Sequence, residues 1–302
     1  MRKKTIFVIF SFFISSTVWA GQNDAQNVAQ NSPSCRSIRP FYWEIGDGKN
    51  TLASGATGQK YQRNTELKIA SASKLIFAAY VLEKKQGQLN PSDEKLLQMQ
   101  GGYDQFNPLP CALRRTVEAC SKARSNSQIN PKAVGQFSYS GGHAQALALR
   151  MGLGSMNSNQ LTEEVRTQLG RIFNFEYENL ALAGGVETSA EQYALLLQAL
   201  INNKLYLSSQ LGKKAICTLP GPCPTARFSP VKENWSYSYH HWVELDENGQ
   251  TEAFSSPGAF GFYPWISADK KFYGIVARSG LREGSDWDSV LCGREIRRAF
   301  FK

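Results

Sequence analysis

The chain has 302 residues, a formal net charge of +9 and a hydrophobic fraction of 42%. That length can bury a large core, as one big domain or two interleaved ones. Its basic residues form no run interleaved with aromatics, which argues against a nucleic-acid partner, and beyond the N-terminus no segment is long and apolar enough to span a membrane.

Arg2, Lys3 and Lys4 precede an apolar run from Thr5 to Val18, and Val18-Trp19-Ala20 ends in small residues. This reads as a secretory signal peptide over residues 1–20. A single N-terminal membrane anchor is the alternative, though the run is short for a bilayer span. Loss of this segment takes the charge from +9 to about +6, mild for a secreted or periplasmic protein. Residues 21–39 are rich in Gln, Asn, Ala and Ser and read as a flexible leader.

Phe41 to Ile45 reads as a strand, the cluster Gly46-Asp47-Gly48-Lys49-Asn50 as a turn, and Thr51-Leu52-Ala53 as the returning strand. Residues 72–86 give the clearest helix, with Leu75, Ala78, Ala79 and Leu82 at helical spacing and Gly87 placed to stop it. Residues 92–137 are loop-rich, with a short helix expected around Cys111–Cys120. Further helices are expected over Gly142–Met151, Thr162–Phe173 and Ser189–Asn202, the last capped by Thr188 or Ser189. Ser236 to Val243 alternates like a strand, and Phe260–Ile266 and Phe272–Ala277 flank a hairpin turn. A basic helix over residues 293–301 closes the chain.

The order of strands, helices, strands and helix implies an α+β protein. An antiparallel sheet from residues 40–70 and 185–302 would be flanked by helices, with an all-helical domain, residues 71–184, inserted between. Six cysteines lie beyond the leader: Cys35, Cys111, Cys120, Cys217, Cys223 and Cys292. In an oxidising compartment they suggest three disulfides, with fifteen pairings open. The short loops Cys111–Cys120 and Cys217–Cys223 are the natural local pairs, which leaves Cys35–Cys292 to tie the chain ends. A zinc site lacks its usual CxxC or His-rich spacing. His240 and His241, read as neighbours on one strand, face opposite sides and cannot form one metal face. No metal or cofactor is expected, and the protein reads as a monomer.

The chemistry-bearing stretch is Ile69-Ala70-Ser71-Ala72-Ser73-Lys74-Leu75-Ile76. Three residues are nearly one helical turn, so Ser71 and Lys74 point to one side. A serine hydroxyl is a weak nucleophile, and an amine beside it can take its proton. Ser73 has no lysine three residues on. Downstream stand Phe137-Ser138-Tyr139-Ser140-Gly141-Gly142-His143, then Leu182-Ala183-Gly184-Gly185-Val186-Glu187-Thr188-Ser189, then Ser255-Ser256-Pro257-Gly258-Ala259-Phe260-Gly261.

In this order the four segments resemble the β-lactamase-related serine hydrolases: class C β-lactamases, DD-peptidases and esterases. The resemblance spans residue 40 to the C-terminus. It implies a β-lactamase/transpeptidase-like fold and an acyl-enzyme on Ser71, with Lys74 and Tyr139 moving the proton. A nearby cation is expected to lower the Tyr139 pKa. Another register makes Ser140 the second-motif residue. Gly141 stands where the family carries asparagine, and Ser256 where it carries lysine or histidine. Gly258 matches the strand glycine, and the amides of Ala259 and Ser71 would form the oxyanion hole. Arg278 is a candidate replacement cation and His143 a rim residue. The Ala-Gly-Gly segment reads as structural. The substrate implied is a small or cell-wall-like ester or amide. Hydrolysis of β-lactams or peptidoglycan peptides is the alternative, and a catalytically silent binding protein on the same scaffold is the other.

Overall fold

The structure is a computed structural model and describes residues 13–302, with side chains from residue 20 onward. The expected signal peptide lies largely outside the described residues. Among those described, no helix is long and apolar enough to cross a membrane.

Eight strands form one sheet. In spatial order they are Thr51–Ala56, Tyr42–Asp47, Phe272–Ala277, Tyr263–Ser267, Thr251–Ser255, Trp242–Leu245, Ser236–Tyr237 and Ile216–Cys217. Every pairing in it is antiparallel. Tyr42 opposite Ala277 and Asp47 opposite Phe272 seat the first strand against the last, so both ends of the chain build the sheet, as the sequence suggests. The three disulfides are Cys35–Cys292, Cys111–Cys120 and Cys217–Cys223.

The leader is helical and packed against the rest of the chain. A helix runs over Phe13–Asn31, and Ala25 and Ala29, one turn apart, are fully buried in a core they share with Trp43, Val290 and Ile296. Gln22 both accepts from Ser54 N and donates to Ser54 O, so a polar side chain satisfies the exposed edge of the outer strand. Trp43 donates to Gln26. The composition that suggested a flexible leader serves, at Gln22, as edge cover.

Residues 71–184 are not all-helical. They contain the short strands Phe137–Ser138 and Glu176–Tyr177, which pair with Ala226–Phe228 and Val186–Thr188 from the rest of the chain. A core runs across both parts and includes Tyr42, Ile76, Leu147, Tyr193 and Tyr273. The helix Ser73–Lys84 is buried from Ser73 through Leu82, so it is a central element and not an amphipathic one. Gly87, in the left-handed region at φ 75°, closes it by donating to Leu82 O. The remaining helices shift at their ends. Asn157 and Gln160 form a capping box, so that helix begins at Ser158 and ends at Gln168. The closing helix starts earlier than read, over Ser285–Phe300, because Val290, Cys292 and Ile296 also face the core.

The expected continuous strand Ser236–Val243 is a tight hairpin. Tyr237 pairs with Trp242, and residues 238–241 turn between them. His240 therefore does not sit in a strand. It adopts φ 55° and its amide donates to Leu97 O.

Candidate active site

Ser71 lies in a 3₁₀ turn, Ala70–Ala72, directly ahead of the central helix. Ala70 holds φ 43°, a left-handed conformation that costs an alanine of the order of 1 kcal/mol. Its surroundings keep it there. Ser73, the serine with no lysine partner, donates to Ala70 O at 2.7 Å and accepts from Val186 N at 3.2 Å, clamping the turn to the Ala-Gly-Gly segment.

Lys74 Nζ donates to Ser71 Oγ at 2.7 Å and to Ala183 O at 3.2 Å. The side chain is almost wholly buried, and burial pushes its pKa down to about 7. At neutral pH the amine is thus available as a proton acceptor. The Ala-Gly-Gly segment, read as structural, also orients Lys74 through Ala183 O. That role was missed because a carbonyl leaves no side-chain signature.

Tyr139 follows the strand Phe137–Ser138 and donates its amide to Phe228 O. Its ring stacks on Trp242 at 5.3 Å and meets Tyr237 edge-on at 5.8 Å. Lys74 Nζ lies over the ring, 4.7 Å from its centroid. The expected lowering of its pKa does not occur. Burial raises the phenol to about 12, partly countered by the neighbouring Ser71 and Trp242. Tyr139 is therefore a protonated donor throughout the neutral range. Ser140 Oγ accepts from Gly142 N at 3.3 Å at the start of the Gly142–Arg150 helix; Tyr139 and Ser140 both line the cavity with Ser71, and it is the Tyr139 ring that lies under Lys74.

Ser256 and Gly258 lie just past the end of the Thr251–Ser255 strand. Ser256 Oγ donates to Ser71 O at 3.2 Å. A β-carbon on Gly258 would sit 2.0 Å from Ile69 O, so the two segments touch backbone to backbone. Ala259 follows and lines the cavity beside Ser71. Neither the Ser71 nor the Ala259 amide donates to an acceptor within the described residues.

Two candidates stand outside this group. Arg278 is buried and turned toward the closing helix, donating to Ser289 Oγ at 2.8 Å and Ser285 O at 2.7 Å. It does not line the cavity. His143 is fully buried behind Ser140, with Nδ1 3.3 Å from Ser140 O, and burial depresses its pKa to about 4. It does not reach the rim.

The cavity over Ser71 has a volume of about 700 Å³. Its ionisable lining is Lys68, Lys74, Asp104, Tyr139 and Glu178, with Lys68 ion-paired to Glu178. Its apolar lining includes Phe106, Leu109, Phe228 and Phe260, residues that the sequence patterns did not single out.

Solved structures share this arrangement of elements. The hydrolase EstCE1, described as having promiscuous acyltransferase activity, superimposes with a TM-score of 0.71 at 13% identity over 95% of this chain and 100% of its own. This chain has the β-lactamase fold. A D-stereospecific amidohydrolase from Streptomyces sp. gives 0.62 at 11% identity, covering 95% of this chain and 98% of its own. A β-lactamase from Mycobacterium bovis gives 0.56 at 14% identity, covering 92% and 98%. No protein-family model and no curated protein sequence matches. A hydrolase with acyltransferase activity, an amidohydrolase and a β-lactamase all stand on this fold, so the fold leaves the reaction to be argued from the site.

Proposed function

We propose that the protein is a serine hydrolase that cleaves an ester or amide through an acyl-enzyme on Ser71. The observation that carries this reading is the 2.7 Å contact between Ser71 Oγ and a buried Lys74 whose pKa lies near 7. Ser71 Oγ attacks the carbonyl carbon and its proton passes to Lys74. The carbonyl oxygen takes the negative charge and is met by the amides of Ser71 and Ala259. The bond to the leaving group breaks as that group takes a proton, delivered through the Tyr139 hydroxyl and replenished from Lys74. Water then attacks the acyl-enzyme, losing a proton to the same pair, and Ser71 regains its own.

Charge bears on the substrate. Where the resembled enzymes place a cation, this chain has Ser256, whose hydroxyl is bonded to Ser71 O. Arg278 is held by the closing helix, and Lys68 is neutralised by Glu178. Apart from Lys74, which is bonded to Ser71 Oγ and Ala183 O, a substrate carboxylate would find no unpaired cation among the cavity's described residues and would meet Asp104. This favours uncharged esters or amides over carboxylated β-lactams. The test is a panel of neutral esters, amides and a chromogenic cephalosporin, run with the protein and with Ser71→Ala. Turnover of a neutral ester that disappears in the variant is the expected result. Ser71-dependent turnover of the cephalosporin alone would favour the β-lactamase reading, and no Ser71-dependent turnover would favour a silent binding protein.

A further inference from the structure

Gly141 has a physical reason within this chain. A β-carbon there would lie 2.6 Å from Cδ1 and 2.9 Å from Cε1 of Phe106. The Phe106 ring fills the space that any side chain at 141 would need, and it faces the cavity. Phe106, Pro108, Leu109 and Ala112 enter the lining from one loop, and Phe228 and Phe260 from elsewhere.

That loop is anchored from beneath. Asn126 is 1% exposed. Its Oδ1 accepts from Asn107 N at 2.7 Å, and its Nδ2 donates to Asn107 O at 2.9 Å and to Cys120 O at 3.1 Å. The Cys111–Cys120 disulfide closes the same loop. A buried amide and a covalent bond thus hold Leu109, 77% exposed, toward water, and Phe228, 53% exposed, adds to the same apolar wall from the strand Ala226–Phe228. Apolar surface fixed in that way beside a nucleophile is suited to being covered by a ligand.

We infer that this wall seats the apolar acyl chain of an uncharged substrate. Phe106 and Leu109 are its specificity-determining contacts, and Asn126 with the Cys111–Cys120 disulfide are positioning elements. The inference rests on Ser71 as nucleophile and names the substrate class for it. The acyl group stays bonded to Ser71 Oγ after the alcohol has left, so a wall along it acts in both half-reactions.

The experiment measures kcat/KM of the disulfide-intact protein on p-nitrophenyl acetate, butyrate and hexanoate, and on acetate esters of alcohols of rising length. The expected gain is about fourfold per acyl methylene, from the transfer free energy of a buried methylene. Phe106→Ala, Gly141→Asn and Asn126→Ala each reduce the hexanoate-to-acetate ratio at least tenfold. Leu109→Ser, at an exposed position where the fold does not depend on the side chain, reduces it in the same direction. Each protein is also treated with a small fluorophosphonate. A flat acyl series in a wild type whose Ser71 is labelled overturns the inference while sparing the hydrolase reading. So does a length dependence confined to the alcohol series, or an unchanged ratio in Leu109→Ser and Phe106→Ala. A wild type whose Ser71 is not labelled overturns both.

Discussion

Lys74 should cost the protein stability, and replacing it with methionine should reveal how much. An unfolded lysine titrates near 10.5, whereas burial brings Lys74 to about 7. The folded state therefore binds fewer protons than the unfolded state between these values, and stability rises with pH across that window. Below about pH 7 the penalty is fully present; above about pH 10.5 it is gone. At pH 7 the penalty is on the order of 4 kcal/mol, from about 1.4 kcal/mol for each unit of the shift. Methionine has nearly the same shape and no charge, so it escapes that term. It also leaves Ala183 O and Ser71 Oγ without their donor, which costs about 1–2 kcal/mol. Lys74→Met is thus expected to be more stable than wild type at pH 7 by about 2–3 kcal/mol, and inactive. The assay is reversible denaturant unfolding of both proteins from pH 6 to 10. The wild-type stability climbs with pH relative to the variant, and the gap closes toward the alkaline end. A variant less stable than wild type at pH 7, with a gap independent of pH, would refute a buried, depressed lysine at this position.

Other consequences are more local. Tyr139→Phe keeps the Trp242 stack but removes the hydroxyl, so kcat should fall about 10²–10³-fold with little change in KM, within the usual range for a proton-transfer group. With the phenol near 12, the wild-type rate should rise through pH 7 and show no alkaline fall below about pH 10. Gly258→Ala must push the Ala259 segment away from Ile69, and steady-state kinetics should show kcat reduced about 100-fold or more, as for loss of an oxyanion donor. Replacing Cys35 and Cys292 by serine opens a loop of 257 residues, and denaturant unfolding should show a loss of about 3–5 kcal/mol.

The sequence exposed the parts of this molecule governed by local rules. Ser71 and Lys74 meet because nearly one helical turn separates them, and Gly87 ends the helix because a left-handed residue was needed there. The two short disulfides follow from loop length, and the third from the cysteines that remain. What the sequence hid depends on contacts between distant segments. Arg278 looked like a free cation, yet Ser285 and Ser289 on a helix later in the chain hold it away from the cavity. The Tyr139 pKa moved opposite to expectation because burial of the phenol dominates. Phe106 carried no motif, and its meaning appears only when its ring is seen against Gly141, 35 positions away. The N-terminal segment was read as a flexible leader because it is rich in Gln, Asn, Ala and Ser, but Gln22 bonds the sheet edge at Ser54 and its alanines face the core.

The central claim is that Ser71 is the nucleophile. The most direct measurement is intact-mass and peptide-mapping spectrometry after treatment with a fluorophosphonate, on wild type and Ser71→Ala. The expected result is a single adduct on wild type, carried by the peptide containing Ser71, with formation rising through pH 7 as Lys74 loses its proton, and none on the variant. An adduct that survives in Ser71→Ala, or a folded wild type that takes none, would contradict it.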